Sequence, residues 1–282
     1  MTRLIRANFS RLVKSRLFWL ETFLMAATGA LSVITMYREK LSTAGYDPDI
    51  SALMFAGGIY MIMAGAVFIG LFVGTDYSDG TIRNKLIVGH GRNGVYFSNL
   101  IVCMAALLIM HLAYIAVSFG LGTLMIGPTE IPASLFFKVF LIGLAALAAL
   151  CSVFLMISMV ISSKASGCVA AIIVAIVIFM TGMMIYSRLQ ESEYIEGYSM
   201  SYNETTGENE ALQPERTENP RYITGTKREI YEFLNDFLPG GQMLQIASIE
   251  ISPPARLPLY SGAIIIVTTG CGIWIFRRKN IK

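Results

Sequence analysis

The chain has 282 residues, of which 55% are hydrophobic and only 15% charged, and its mean hydropathy is +0.60. Soluble domains carry about a quarter charged residues, so this composition places the chain in a membrane. A formal charge of +3 is too small for a nucleic-acid partner, and the four cysteines, Cys103, Cys151, Cys168 and Cys271, sit at unrelated spacings in apolar stretches, against a disulfide framework or a metal site.

The chain opens on a basic segment in which Leu4, Ile5, Phe9, Leu12 and Val13 recur near helical spacing, with Arg6, Arg11 and Lys14 mostly between them. The pattern predicts an interfacial helix over residues 1–16. A basic tail held by charge alone is the alternative. The next apolar run is too long for a signal h-region and lacks a small-x-small cleavage site, so it reads as a retained helix. A span needs roughly 20 mostly apolar residues. Stretches that qualify are Leu17–Tyr37, Ala52–Val73, Phe97–Ile126, Leu135–Ile161, Gly167–Tyr186 and Leu257–Phe276. Each must be helical, because hydrocarbon offers no partner to a free backbone N–H or C=O.

Basic residues set the expected orientation. Arg3, Arg6, Arg11, Lys14 and Arg16, then Arg83, Lys85 and Arg92, then Lys164, and finally Arg277, Arg278, Lys279 and Lys282 fall in alternate connections. Asp76 and Asp79 are the only clear acids among them, whereas Arg188–Arg256 holds 12 acids against 6 bases. The expectation is a protein with both termini in the cytoplasm, an even number of spans, and an extracytoplasmic insert over residues 187–256. The first half of that insert, ESEYIEGYSMSYNETTGENEALQPERTENP, is acidic and poor in branched apolar residues, which predicts a mobile loop. The second half places Ile230, Phe233, Leu234, Phe237 and Leu238 on one face before Pro239-Gly240-Gly241. That predicts a short helix at the outer interface, a break, and a second short helix.

The sequence is poor in reactive groups. It has two histidines, His90 and His111, and neither an HExxH pair nor a GxxxxGK[ST] phosphate loop. His111 lies in the third span. It is either a proton relay or a neutral side chain bonded to a neighbouring helix, the second being favoured. Glu21 either lines a cavity or pairs with Arg16 or another interfacial base. Ser162-Ser163-Lys164 has the order of a Ser/Lys pair, but ordinary serines beside a positive-inside lysine explain it better. Asn203-Glu204-Thr205 fits a glycosylation sequon. The remaining constellation lies in the polar, basic stretch Gly74–Asn99, read as a loop. Asp79 is placed to cap a short helix through Gly80, Thr81, Ile82, Arg83, Asn84, Lys85, Leu86 and Ile87, in which Ile82, Leu86 and Ile87 give an apolar side. A loop that only fixes topology needs no apolar face.

Six spans with both ends inside, a basic N-terminal helix, DYSDGTIRNKL, and NDFLPGGQ before the last span together resemble the ABC-2 type permease subunits of ABC transporters. The resemblance covers nearly the whole chain. It implies an all-α membrane protein forming one transmembrane domain over 1–282, with a cytoplasmic coupling loop at 74–96. It also implies that Asp79 through Ile87 form a coupling helix docking on a separate ATP-binding cassette subunit. Asp76 matches an acidic position common in the family and Arg92 a basic one after the helix, although Gly89, His90 and Gly91 replace the proline and serine often found there. The implied function is a non-enzymatic permease subunit with no cofactor of its own, ATP and Mg being held by the ATPase. It would sit in a plasma membrane, of bacterial type, with membrane lipid around it and a second copy or related permease beside it, and export an amphipathic or hydrophobic peptide, drug or lipid. The alternative is the membrane subunit of a complex that senses, or gives immunity to, membrane-active peptides.

Overall fold

The computed structural model describes residues 1–197, 200–203, 208–211, 215–251 and 254–280. The chain runs from α1 (Thr2–Lys14) through α2 (Arg16–Ser42), α3 (Ser51–Ser78), the short α4 (Thr81–Ile87), α5 (Arg92–Met125), α6 (Ala133–Val160) and α7 (Lys164–Leu189). Four strands follow, β1 (Tyr194–Gly197), β2 (Met200–Asn203), β3 (Glu208–Ala211) and β4 (Glu215–Glu218), and then α8 (Gly225–Phe237), α9 (Pro239–Ser248) and α10 (Arg256–Arg278). Among the described residues, α2, α3, α5, α6, α7 and α10 are long and apolar enough to cross a membrane. The protein is therefore an all-α, six-span, multi-pass membrane protein.

The spans begin where the sequence supplies a cap or a stop. Ser15 accepts a hydrogen bond from Phe18 N at 3.4 Å to open α2. Ser163 accepts one from Ser166 N at 3.3 Å to open α7, which gives that serine a structural task. Pro132 precedes the first turn of α6. Helix α3 is the axis of the bundle and packs against α2, α5, α6, α7 and α9. It crosses α7 backbone to backbone: a Cβ on Gly70 would lie 2.8 Å from the Cα of Cys168, so only glycine admits this crossing. The buried core around α3 includes Phe55, Phe68, Tyr96, Tyr114 and Phe154, and the Tyr114 hydroxyl donates to the Leu53 carbonyl at 3.0 Å.

Three expectations are corrected here. The polar stretch Gly74–Asn99 is mostly helical. Helix α3 continues to Ser78 and α5 starts at Arg92, leaving only short turns on either side of α4. Ser98 and Asn99 are thus buried positions of α5, not loop residues. The insert predicted as a mobile loop contains antiparallel pairs, β1 with β4 (Tyr194 opposite Glu218) and β2 with β3 (Met200 opposite Ala211). Ladder hydrogen bonds satisfy the backbone without a large apolar core, and Arg216 lies 3.2 Å from Glu196 directly across the strands. Within the sequon, Glu204 and Thr205 lie outside the described residues. Finally, among the described residues no bond joins His111 to a neighbouring helix, its Nδ1 being buried without a partner, and Glu21 forms no ion pair.

The expected pair of short helices before the last span is present as α8 and α9. Every residue from Pro239 to Ile246 is buried, as α9 wedges against α3, α6 and α7. Gln242 holds the wedge by donating to the Asp236 carbonyl at 2.8 Å and accepting from Ser261 Oγ at 2.8 Å. Gly240 faces the Ile178 carbonyl of α7 so closely that a Cβ would collide with it.

Candidate coupling site

Both described ends of the chain meet at one face of the bundle, and α4 lies there. Gly80 precedes α4 in the left-handed conformation (φ 65°) and is its N-cap, with no side-chain cap bond. Asp79, expected to cap α4, instead closes α3, where its carboxylate accepts from Ser78 Oγ at 3.2 Å. The backbone reverses at Gly80 and not at Asp79, because only glycine takes positive φ without strain. The far end is equally defined. His90 N bonds to Lys85 O at 3.1 Å and Gly89 N to Leu86 O at 3.0 Å, with Gly89 at φ 94°. This is a Schellman stop, so glycine ends the helix without the proline.

The apolar side of α4 divides in two. Ile82 is fully buried in the chain's own core and Leu86 packs against that core. Ile87 is 72% exposed and Val88, not singled out from sequence, is 77% exposed. Asp79, Arg83 and Asn84 are exposed beside them, while Gly80, Thr81 and Lys85 are half-buried. Seven residues make a marginal helix in water, so the inward contacts are what hold α4 in place.

Those contacts form a polar clamp. Asp76, on the last turns of α3, is 1% exposed and pairs with Arg11 of α1 and, at 3.2 Å, with Lys85 of α4. Lys85 Nζ also donates to Asn8 Oδ1 at 2.8 Å, and Asn8 Nδ2 donates to Ser98 Oγ at 2.7 Å and Asn99 Oδ1 at 3.0 Å on α5. The Arg11 guanidinium also sits 3.9 Å above the Phe72 ring. One buried carboxylate thus ties together α1, α3 and α4, and Asn8 carries the tie to α5. Burial lowers the Lys85 ammonium to about 8, with the nearby Arg11 charge adding to the effect, and burial lowers Arg11 to about 10. The carboxylate opposite keeps both cations in place.

A second clamp closes the same face. Arg92 Nη1 donates to the carbonyls of Phe276 at 2.6 Å, Arg277 at 3.0 Å and Lys279 at 2.6 Å, capping the end of α10. Lys279 Nζ donates to Met159 O at 3.2 Å and Val160 O at 2.8 Å, capping the end of α6, and to the Tyr77 hydroxyl at 3.2 Å. Both follow the preference for cations at helix C-termini.

Sequence reasoning missed Asn8 and Lys279. Asn8 shares the helical stripe of Leu4 and Leu12, at i, i+4 and i+8, and a polar residue on the buried stripe of an amphipathic helix is a signal that could have found it. Lys279 carried no signal beyond its charge.

Six helices long and apolar enough to span, with a short surface helix braced against them, define a multi-pass membrane protein. The family described as ABC-2 family transporter protein matches residues 4–182, and the chain belongs to that family. It is a permease subunit of an ABC transporter. The match takes in the first clamp whole and the second except Lys279 and the end of α10, and it stops before the strands, α8, α9 and α10. A search of curated proteins finds no match.

Proposed function

We propose that α4 is the coupling helix of this permease, and that it docks on a separate ATP-binding subunit in the cytoplasm through Ile87 and Val88 with Asp79, Arg83 and Asn84 around them. The carrying observation is the division of α4, anchored inward by Ile82 and the Lys85–Asp76 pair and bare outward at Ile87 and Val88. Membership of the family supports an ABC-type ATPase as the occupant. The excess of Lys and Arg on this face supports its cytoplasmic placement.

ATP and Mg are held by the partner in this reading. Approach of two ATPase subunits pushes α4, and the Asp76 clamp passes the displacement to α1, α3 and α5 as a rigid-body tilt. A second copy or a related permease completes the path, and the cargo is an amphipathic or hydrophobic molecule moved outward.

The test is co-purification of the ATPase from membranes. Two apolar side chains contribute about 1.5–3 kcal/mol each when covered, so Ile87→Asp with Val88→Asp lowers recovery at least about tenfold. Thermal unfolding of the permease itself stays unchanged. Normal recovery from the double variant overturns the assignment.

A further inference from the structure

Charges on the α4 face are either used internally or left free. Arg11 and Lys85 meet Asp76, Arg92 caps α10 and Lys279 caps α6. Arg277 and Arg278 are different: both are exposed, and among the described residues neither forms an ion pair. They share one outward face of α10 with Gly270, Ile273 and Trp274, beside about 420 Å³ of open space. The Arg278 guanidinium stacks 4.3 Å above the Trp274 ring, which fixes its plane. Nothing lies within 4 Å of the position a Cβ would take on Gly270, and Ile266 one turn further along is 74% exposed, so the face below the arginines is uncovered and apolar.

We propose that this end of α10 is a binding site for an anionic phospholipid. Its phosphate is held between Arg277 and Arg278, and one acyl chain runs along Gly270 toward Ile266. Three features select that occupant. The guanidinium fork matches a phosphate oxygen pair. A tryptophan one turn inside a spanning helix marks the depth at which headgroups lie. The face below the charges is apolar and uncovered, which suits an alkyl chain. A second copy of the chain meeting this face symmetrically would oppose guanidinium to guanidinium with no acid between them. Because Arg92 and Lys279 tie the same end of α10 to α5 and α6, the lipid braces the second clamp from outside.

The test uses the full chain, purified in detergent and stripped of lipid. Phosphatidylglycerol, phosphatidylcholine and soluble glycerol phosphate are added separately, and retained lipid is read by native mass spectrometry alongside thermal unfolding. Phosphatidylglycerol is retained and raises the unfolding temperature, while the other two do neither. Arg277→Gln with Arg278→Gln weakens retention about thirtyfold, two basic contacts at a lipid surface being removed. Arg3→Gln with Arg6→Gln, an equal loss of charge on the same face, leaves retention intact. Gly270→Leu, which raises a branched side chain in the path of the acyl chain without touching the charges, also lowers retention and serves if the first variant fails to fold. Equal retention by the Arg277/Arg278 variant, equal loss in the Arg3/Arg6 variant, or an equal response to glycerol phosphate each overturns the site.

Discussion

Replacing Asp76 by Asn tests the clamp that holds α4. Asp76 is 1% exposed, and the side chains it meets are 27% exposed for Arg11 and 12% for Lys85. A pair this buried differs from a surface pair, whose removal costs about 1 kcal/mol or less. Taking away one partner leaves buried cations without a counter-charge, at a cost of about 3–5 kcal/mol. The loss falls locally, because the spans keep their own packing and α4 has little else. Amide exchange in detergent should therefore accelerate more than about a hundredfold across α4, at roughly 1.4 kcal/mol per factor of ten. Exchange along α1 accelerates with it, while the centre of α6 is unaffected. Replacing all three ionic partners by apolar residues (Asp76→Leu, Arg11→Met, Lys85→Met) should recover much of the protection, since no orphaned charge remains. Unchanged exchange over α4 in Asp76→Asn would show that the carboxylate does not hold this helix.

Further outcomes follow from the same geometry. Ile82→Asp puts a charge at a fully buried position, so it should lower the unfolding temperature by an amount equivalent to about 3 kcal/mol or more; a wild-type melting curve would contradict the burial. Lys85 has a folded-state value of about 8 against an ordinary 10.5. The unfolded chain therefore binds more protons between those values, and this group's contribution to stability is full above 10.5 and lost as pH falls through about 8. The wild-type advantage over Lys85→Gln should rise with pH across that window in thermal unfolding, and a flat difference counts against it. Gly240→Ala should cost about 1–3 kcal/mol by forcing α9 away from the Ile178 carbonyl, read as earlier melting. Single cysteines at Val88 and Tyr194, both exposed, should label from opposite sides of the membrane with an impermeant thiol reagent in a cysteine-free background, and labelling of both from outside would refute the orientation.

The spans were legible because apolar length is a one-dimensional property. Each expected stretch lies within or one residue beyond its helix, as with Phe97–Ile126 against Arg92–Met125. What the sequence hid depends on neighbours in space. Ile82 and Ile87 look alike in a seven-residue helix, and only the packing of α3 and α5 beneath it decides that one is buried and the other bare. Asp79 was the expected cap of α4, and the turn leaving α3 moved the start to Gly80. The strands were missed because composition alone predicted disorder, while Tyr194, Ile195 and Thr217 sit in register with partners far along the chain. Asn8, Ser98 and Asp76 come from three separated segments, and their meeting could not be read from spacing.

The central claim is that the bare tip of α4 meets an ATPase. A photo-crosslinking side chain placed at Val88 in intact membranes, with a second placed at Ile266 on the outward face of α10, measures it directly. The account expects irradiation to join the Val88 probe to an ATP-binding cassette subunit and the Ile266 probe to lipid. Capture of lipid alone at Val88, or of the ATPase equally at both positions, would contradict it.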